Sequence, residues 1–145
     1  MGKKILVIYN SLSGNTKAAA EAIAEGAKEI EGVSVYVKNC YDTTIDDLLN
    51  CDGVALGSYD AFSYMGGGLK DFFDRVYYPT KGKIDKKPCV VYLTHGGGGK
   101  AIESLVSLSK KIGLKEITKP LSIVGKPDKR NVEELKAAGA LLAKS

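Results

Sequence analysis

An unbroken apolar run, Ile5-Leu6-Val7-Ile8-Tyr9, gives way almost at once to Ser11-Leu12-Ser13-Gly14-Asn15-Thr16, and a helical pattern starts near Lys17. Consecutive apolar residues suit a strand covered on both faces, as in a parallel sheet sandwiched between helices. The following six residues are a hydroxyl-rich corner at a helix N-terminus. Backbone N–H groups point outward there and the helix dipole favours negative charge, so the corner suits a phosphate. Ser11, Ser13 and Thr16 add hydroxyls, Asn15 adds an amide, and Gly14 lets the backbone bend close to a ligand. No lysine lies inside the loop, which excludes the Walker-type loop, and the three spaced glycines of the dinucleotide fingerprint are missing. Neutral donors point to a small mononucleotide cofactor.

The rest of the chain repeats the same alternation. Val33–Val37 alternates with period two, Asp52–Ser58 carries a short buried strand, Cys89–Leu93 is a continuous apolar run, and Leu121–Val124 is the last strand. Helical stripes lie between them: Ala19, Ile23, Ala27 and Ile30; Leu69, Phe72, Phe73 and Val76; Ile102, Leu105, Leu108 and Ile112; Val132, Leu135, Gly139 and Leu142. Asn131 is the expected N-cap of the last, with glutamates in its first turn, and a short helix is expected over Ile45–Asn50. These stripes are expected to be core. Five strands with interleaved helices make a three-layer α/β/α sandwich around a five-stranded parallel sheet. Ligands of such sheets bind outside the carboxyl ends of the strands. The loops after strands one, three and four are rich in glycine, hydroxyls or aromatics, whereas Cys40-Tyr41-Asp42 after strand two is ordinary. That asymmetry fits the order 2-1-3-4-5.

With 145 residues, one domain over 1–145 is expected, long enough to bury a core. Met1-Gly2-Lys3-Lys4 leads straight into a strand, with no signal peptide, membrane span or myristoylation signal expected. Cys40, Cys51 and Cys89 are an odd number without a Cys-x-x-Cys pair, which suits a reducing cytoplasm and argues against disulfides and zinc. Net charge is a mild +4, and no aromatics are interleaved with the clustered lysines, so nucleic-acid binding is not expected. One basic cluster, Lys81, Lys83, Lys86 and Lys87, is either a solvated loop or a docking patch for an acidic protein.

Two further loops join the first. Ser58 to Gly68 carries Tyr59, Phe62, Tyr64 and Met65, which either wall a flat ligand or pack on the body of the protein. Stacking on an aromatic contributes on the order of 1 kcal/mol beyond area burial. Its glycines, Gly66 to Gly68, either admit a ligand or loosen the entry to the next helix. Thr94-His95-Gly96-Gly97-Gly98-Gly99-Lys100 is a bare backbone ribbon, able to offer N–H groups to a heterocycle or to act as a mobile linker. His95 is the single histidine.

Together the three loops resemble the flavodoxin family. The match is carried by Ser11-Leu12-Ser13-Gly14-Asn15-Thr16, by Leu56-Gly57-Ser58, and by Gly68-Leu69-Lys70-Asp71-Phe72-Phe73-Asp74-Arg75. The resemblance implies a flavodoxin-like domain holding one non-covalent FMN, its phosphate at Ser11, Leu12, Ser13, Gly14, Asn15 and Thr16. The ring is then expected between Ser58, Tyr59, Asp60, Ala61, Phe62 and Tyr64 on one side and Thr94, His95, Gly96 and Gly97 on the other. Asp60 is expected to set a negative charge beside the ring. No residue is expected to be catalytic, because the flavin carries the redox chemistry. The chain departs from the family in two respects: glycines stand where an aromatic usually covers the flavin, and the charge is basic rather than acidic. The second and third loops also resemble those of flavodoxin-like quinone reductases. The implied function is a monomeric electron carrier between redox proteins in the cytoplasm. The alternatives are an FMN-dependent NAD(P)H:quinone-type reductase and a binding module without FMN.

Overall fold

The structure is a computed structural model and describes residues 2–145. Strands β1 (Lys3–Tyr9), β3 (Gly53–Ala61) and β5 (Pro88–His95) form its middle, with β2 (Val33–Asn39) on one edge. All three middle strands are buried on both faces over most of their length, which is why their sequences are continuously apolar. In β2 half-buried and exposed residues alternate at first, as an edge strand requires. Neighbouring main strands run parallel, β1 between β2 and β3, and β3 between β1 and β5.

The far edge is split. Short strands β6 (Lys115–Glu116) and β7 (Leu121–Val124) both pair with β5, at opposite ends of it. From Glu116 to Leu121 the edge chain advances five residues, while β5 advances three from Cys89 to Tyr92. Pro120 interrupts the ladder because it has no N–H to donate. The expected order of five positions holds, but seven hydrogen-bonded stretches fill the sheet. The seventh, β4 (Tyr64–Met65), folds back antiparallel on the end of β3.

Odd and even residues of the strands face different helices. Ile5, Val7, Ala55, Val90 and Tyr92 pack under α1 (Asn15–Lys28) and α5 (Lys129–Lys144). Leu6, Ile8, Val54, Leu56, Val91 and Leu93 pack under α2 (Ile45–Asn50), α3 (Gly67–Thr80) and α4 (Ile102–Lys111). Helices α1 and α5 cross at their glycines: a Cβ on Gly26 would lie 1.9 Å from the Lys136 carbonyl oxygen, and one on Gly139 1.9 Å from that of Ile23. Gly139 therefore belongs to the apolar stripe as a contact point for backbone. Asp128, not Asn131, is the N-cap of α5. Asn131 sits at the third helical position and returns a bond to the Asp128 N–H, completing a capping box, and the first turn holds no acidic residue.

Candidate functional site

Parallel pairing brings the ends of β1, β3 and β5 to one edge of the sheet, where the three sequence-marked loops meet. Helices α1, α3 and α4 all begin there, and none is capped by a side chain of its own segment. An uncapped helix start leaves backbone donors without partners. Distant acceptors cover two of the three. For α3, Asn10 Oδ1 accepts from the Leu69 N–H at 3.1 Å and Ser58 Oγ accepts from the Gly66 N–H at 2.7 Å. For α4, Asp60 Oδ2 accepts from the Ala101 N–H at 3.1 Å. Helices α2 and α5 carry capping boxes of their own. Among the described residues, α1 alone leaves the N–H groups of all three of its first residues, 15 to 17, without an acceptor from side chain or backbone; only its N-cap, Gly14, has one, from Ser11.

The corner before α1 is shaped for approach from outside. Gly14 is left-handed at φ +100°, and nothing lies within 4 Å of where its Cβ would stand. Ser11 Oγ accepts from the Gly14 N–H at 3.1 Å and so braces the bend. Leu12, Ser13 and Gly14 are exposed and Asn15 is half-buried, with Asn15 and Thr16 already in the helix. Thr16 differs from its neighbours: it is buried, and its hydroxyl shares a 2.7 Å hydrogen bond with that of Thr94 at the end of β5. The corner's remaining donors are the first-turn N–H groups, the hydroxyls of Ser11 and Ser13, and the Asn15 amide.

The segment expected as a second loop is mostly ordered strand. Asp60 pairs with Met65 and Ala61 with Tyr64, leaving a two-residue turn at Phe62-Ser63. Both turn residues have positive φ, +55° and +67°. Such primed turns match the strand twist but favour Asn-Gly, and a left-handed residue with a Cβ costs about 1–2 kcal/mol. Phe62 stands fully in solvent at the tip and Tyr64 is exposed beside it. Tyr59 points elsewhere: a Cβ on Gly66 would meet its ring at 2.7 Å. Burial holds the Tyr59 phenol above its ordinary range, reinforced by Tyr41 and Cys40. Tyr41, from the loop after β2, packs on Gly68, where a Cβ would lie 2.5 Å from its ring. Gly66 and Gly68 thus admit the protein's own side chains, while Gly67 is open.

The Asp60 carboxylate is engaged within the protein. Oδ1 accepts from the Ser63 N–H at 2.8 Å while Oδ2 reaches Ala101. Ser58 is fully buried, its hydroxyl donating to the Tyr59 carbonyl at 2.7 Å. In the third loop Gly96 and Gly97 are exposed, with nothing within 4 Å of a would-be Cβ. The His95 ring lies against Gly99, whose Cβ would come 2.8 Å from Nε2. His95 Nδ1 is the one buried side-chain nitrogen without a hydrogen-bond partner among the described residues.

Asn10, absent from the sequence-marked residues, holds the centre of this edge. It is buried, its N–H donates to the Gly57 carbonyl at 3.0 Å, and its side chain caps α3. A polar residue directly after an apolar run was the available signal. In the basic cluster, Lys87 is structural: its ammonium donates to the carbonyls of Leu48 and Leu49 at the end of α2. Lys81, Lys83 and Lys86 remain exposed. No group of three or more potential metal ligands occurs among the described residues, and no helix there is long and apolar enough to cross a membrane.

No family model matches the chain. It is 41% identical over 96 residues to a flavodoxin of Aquifex aeolicus, a match covering 66% of this chain and 52% of that protein. It is 35% identical over 92 residues to an NAD(P)H dehydrogenase (quinone) of Acidithiobacillus ferrooxidans, covering 50% of this chain and 46% of that one. The chain thus spans about half the length of the curated relatives it matches. Among solved structures, one of a flavodoxin from the domain Archaea superposes with a TM-score of 0.89 at 29% identity, over 97% of this chain and 96% of that one.

Proposed function

We propose, from its similarity to flavodoxins, that the chain is a flavodoxin-family protein that binds one non-covalent FMN and carries electrons between redox proteins. One observation carries this reading. Of the three helices that start at the loop edge, α1 alone leaves all three first-turn N–H groups, 15 to 17, without an acceptor of any kind, whereas α3 has Asn10 on Leu69 and α4 has backbone carbonyls on Ile102, Glu103 and Ser104. A monoester phosphate fits there: it supplies the missing acceptor, and the positive end of the helix dipole favours its charge. Ser13 and Asn15 add neutral donors, and Gly14 lets the backbone close around it.

The other two loops fit a flat heterocycle. Phe62 and Tyr64 offer aromatic surface, and Gly96 and Gly97 offer bare backbone. Asp60 acts on the wall of this slot through its bonds to Ser63 and Ala101. When bound, the FMN supplies reversible redox chemistry at its ring, and the protein binds, orients and partly dries it. Exposed Lys81, Lys83 and Lys86 suit contact with an acidic partner. Three free, buried cysteines are consistent with a reducing compartment.

The test is spectroscopic. Purified apoprotein titrated with FMN is expected to bind it one to one and to show a perturbed flavin spectrum that bleaches and returns through reduction and oxidation. A protein that takes up no FMN overturns the proposal and leaves the binding module. The similarity to an NAD(P)H dehydrogenase (quinone) favours a second reading, turnover by the chain itself. Sustained oxidation of NADPH by a quinone with the isolated protein would choose that reading over the carrier.

A further inference from the structure

We propose that Asp60 is a positioning residue that joins the hairpin tip to the start of α4, so that the second and third loops meet a flavin ring as one wall. The clause about the ring rests on the cofactor reading above; the join itself does not.

The join is visible in four hydrogen bonds. Asp60 Oδ1 accepts from the Ser63 N–H at 2.8 Å, closing a turn whose two residues both have positive φ. Neither Phe62 nor Ser63 relieves that conformation as glycine would, so an acceptor for the turn has something to hold in place. Asp60 Oδ2 accepts from the Ala101 N–H at 3.1 Å, 41 residues away, where α4 has no cap of its own. A carboxylate suits both tasks: it can accept two bonds, and its charge favours a helix start. The return stitch comes from α4. Ser104 Oγ accepts from the Met65 N–H at 3.1 Å and donates to the Ala101 carbonyl at 2.7 Å.

The consequence falls on the glycine ribbon. Gly96, Gly97 and Gly98 have open space where a Cβ would stand. The ribbon is anchored at one end by the Gly125 N–H on the His95 carbonyl, 2.8 Å. At its other end stands Ala101, bound to Asp60. A single carboxylate therefore ties the aromatic tip to the ribbon across the slot's far end.

Asp60→Asn tests this, because an amide of the same shape accepts through one atom where the carboxylate accepts through two. Hydrogen exchange in the apoprotein should speed by about tenfold or more at both Ser63 and Ala101, with Val91 in β5 unchanged. FMN and riboflavin should both weaken, by the same factor of about tenfold, since the change touches the ring's wall and not the phosphate corner. The visible circular dichroism of bound flavin should change with it, a signature that general destabilisation does not produce. Unaltered exchange at Ser63 and Ala101 overturns the join. Riboflavin affinity within about twofold of wild type overturns its action on the ring. If the variant does not fold, Ser104→Ala decides. Faster exchange at Met65, Ser63 and Ala101 together supports one wall, and at Met65 alone overturns it. A wild-type protein that takes up neither flavin overturns the cofactor reading and the ring clause with it, and exchange then judges the join alone.

Discussion

The hydroxyls of Thr16 and Thr94 share a buried 2.7 Å hydrogen bond that ties the first turn of α1 to the end of β5 across 78 residues of chain. The hydroxyl-rich corner and the glycine ribbon therefore rest on a common floor. Replacing either threonine by valine leaves the other hydroxyl buried without its partner, at about 1–3 kcal/mol. Replacing both removes the orphan along with the bond. Urea unfolding should show each single variant destabilised and the double variant losing clearly less than the two losses combined. Additive losses would count against the coupling.

Asn15→Asp places a negative charge at the free start of α1. A phosphate there loses a donor and gains a repulsion, together worth about 1.5–3 kcal/mol, or roughly ten- to a hundredfold in affinity. FMN should suffer this loss and riboflavin much less. Thr16 is best left intact in this test, because its hydroxyl is committed to Thr94. Equal losses for the two ligands would put the phosphate elsewhere.

Phe62 is fully exposed, and Tyr64 is exposed beside it. Substituting each by alanine should leave stability within about 0.5 kcal/mol of wild type, since neither sits in the core. Flavin affinity should fall for at least one of them; no effect in either variant refutes the aromatic wall. Ser63→Gly should raise thermal stability by about 1 kcal/mol, because glycine accepts the left-handed turn without the Cβ clash.

Gly57→Ala should be severe. A Cβ there would lie 2.0 Å from the ring of Tyr92, which is wholly buried and donates to the Ile8 carbonyl at 2.6 Å. The ring has no exit, so overpacking should cost about 3 kcal/mol or more. Tyr92→Leu in the same chain should recover part of that loss in denaturant unfolding.

Burial pushes the thiols of Cys40 and Cys51 up from an ordinary value of 9.0 to about 11, and that of Cys89 to about 12. Between these values the unfolded chain gives up thiol protons that the folded chain keeps. Stability from this source is therefore whole below pH 9 and declines as pH rises toward 11 to 12. At pH 8 a thiol reagent should leave the native protein unmodified and label three cysteines in denaturant. Replacing all three by alanine should flatten the alkaline decline in the urea midpoint.

Local pattern was enough for the layers and for the sheet edge where the three marked loops meet. Continuous apolar runs marked β1, β3 and β5, period-two alternation marked β2, and the hydroxyl-rich corner after β1 marked the start of α1. These signals are legible because side-chain period and donor chemistry depend only on near neighbours. What tertiary structure decided is which distant group meets which. Asn10 and Ser58 cap α3, Asp60 caps α4, and Thr16 turns inward to Thr94. The glycines of α1 and α5 are needed because two backbones touch, and the last strand breaks in two at Pro120. Apart from the Ser58 bond to Gly66, eight residues apart, each of these unions spans tens of residues or more, and none leaves a local period. The same holds for the free start of α1, whose meaning appears only when the neighbouring helix starts prove to be covered from elsewhere in the chain.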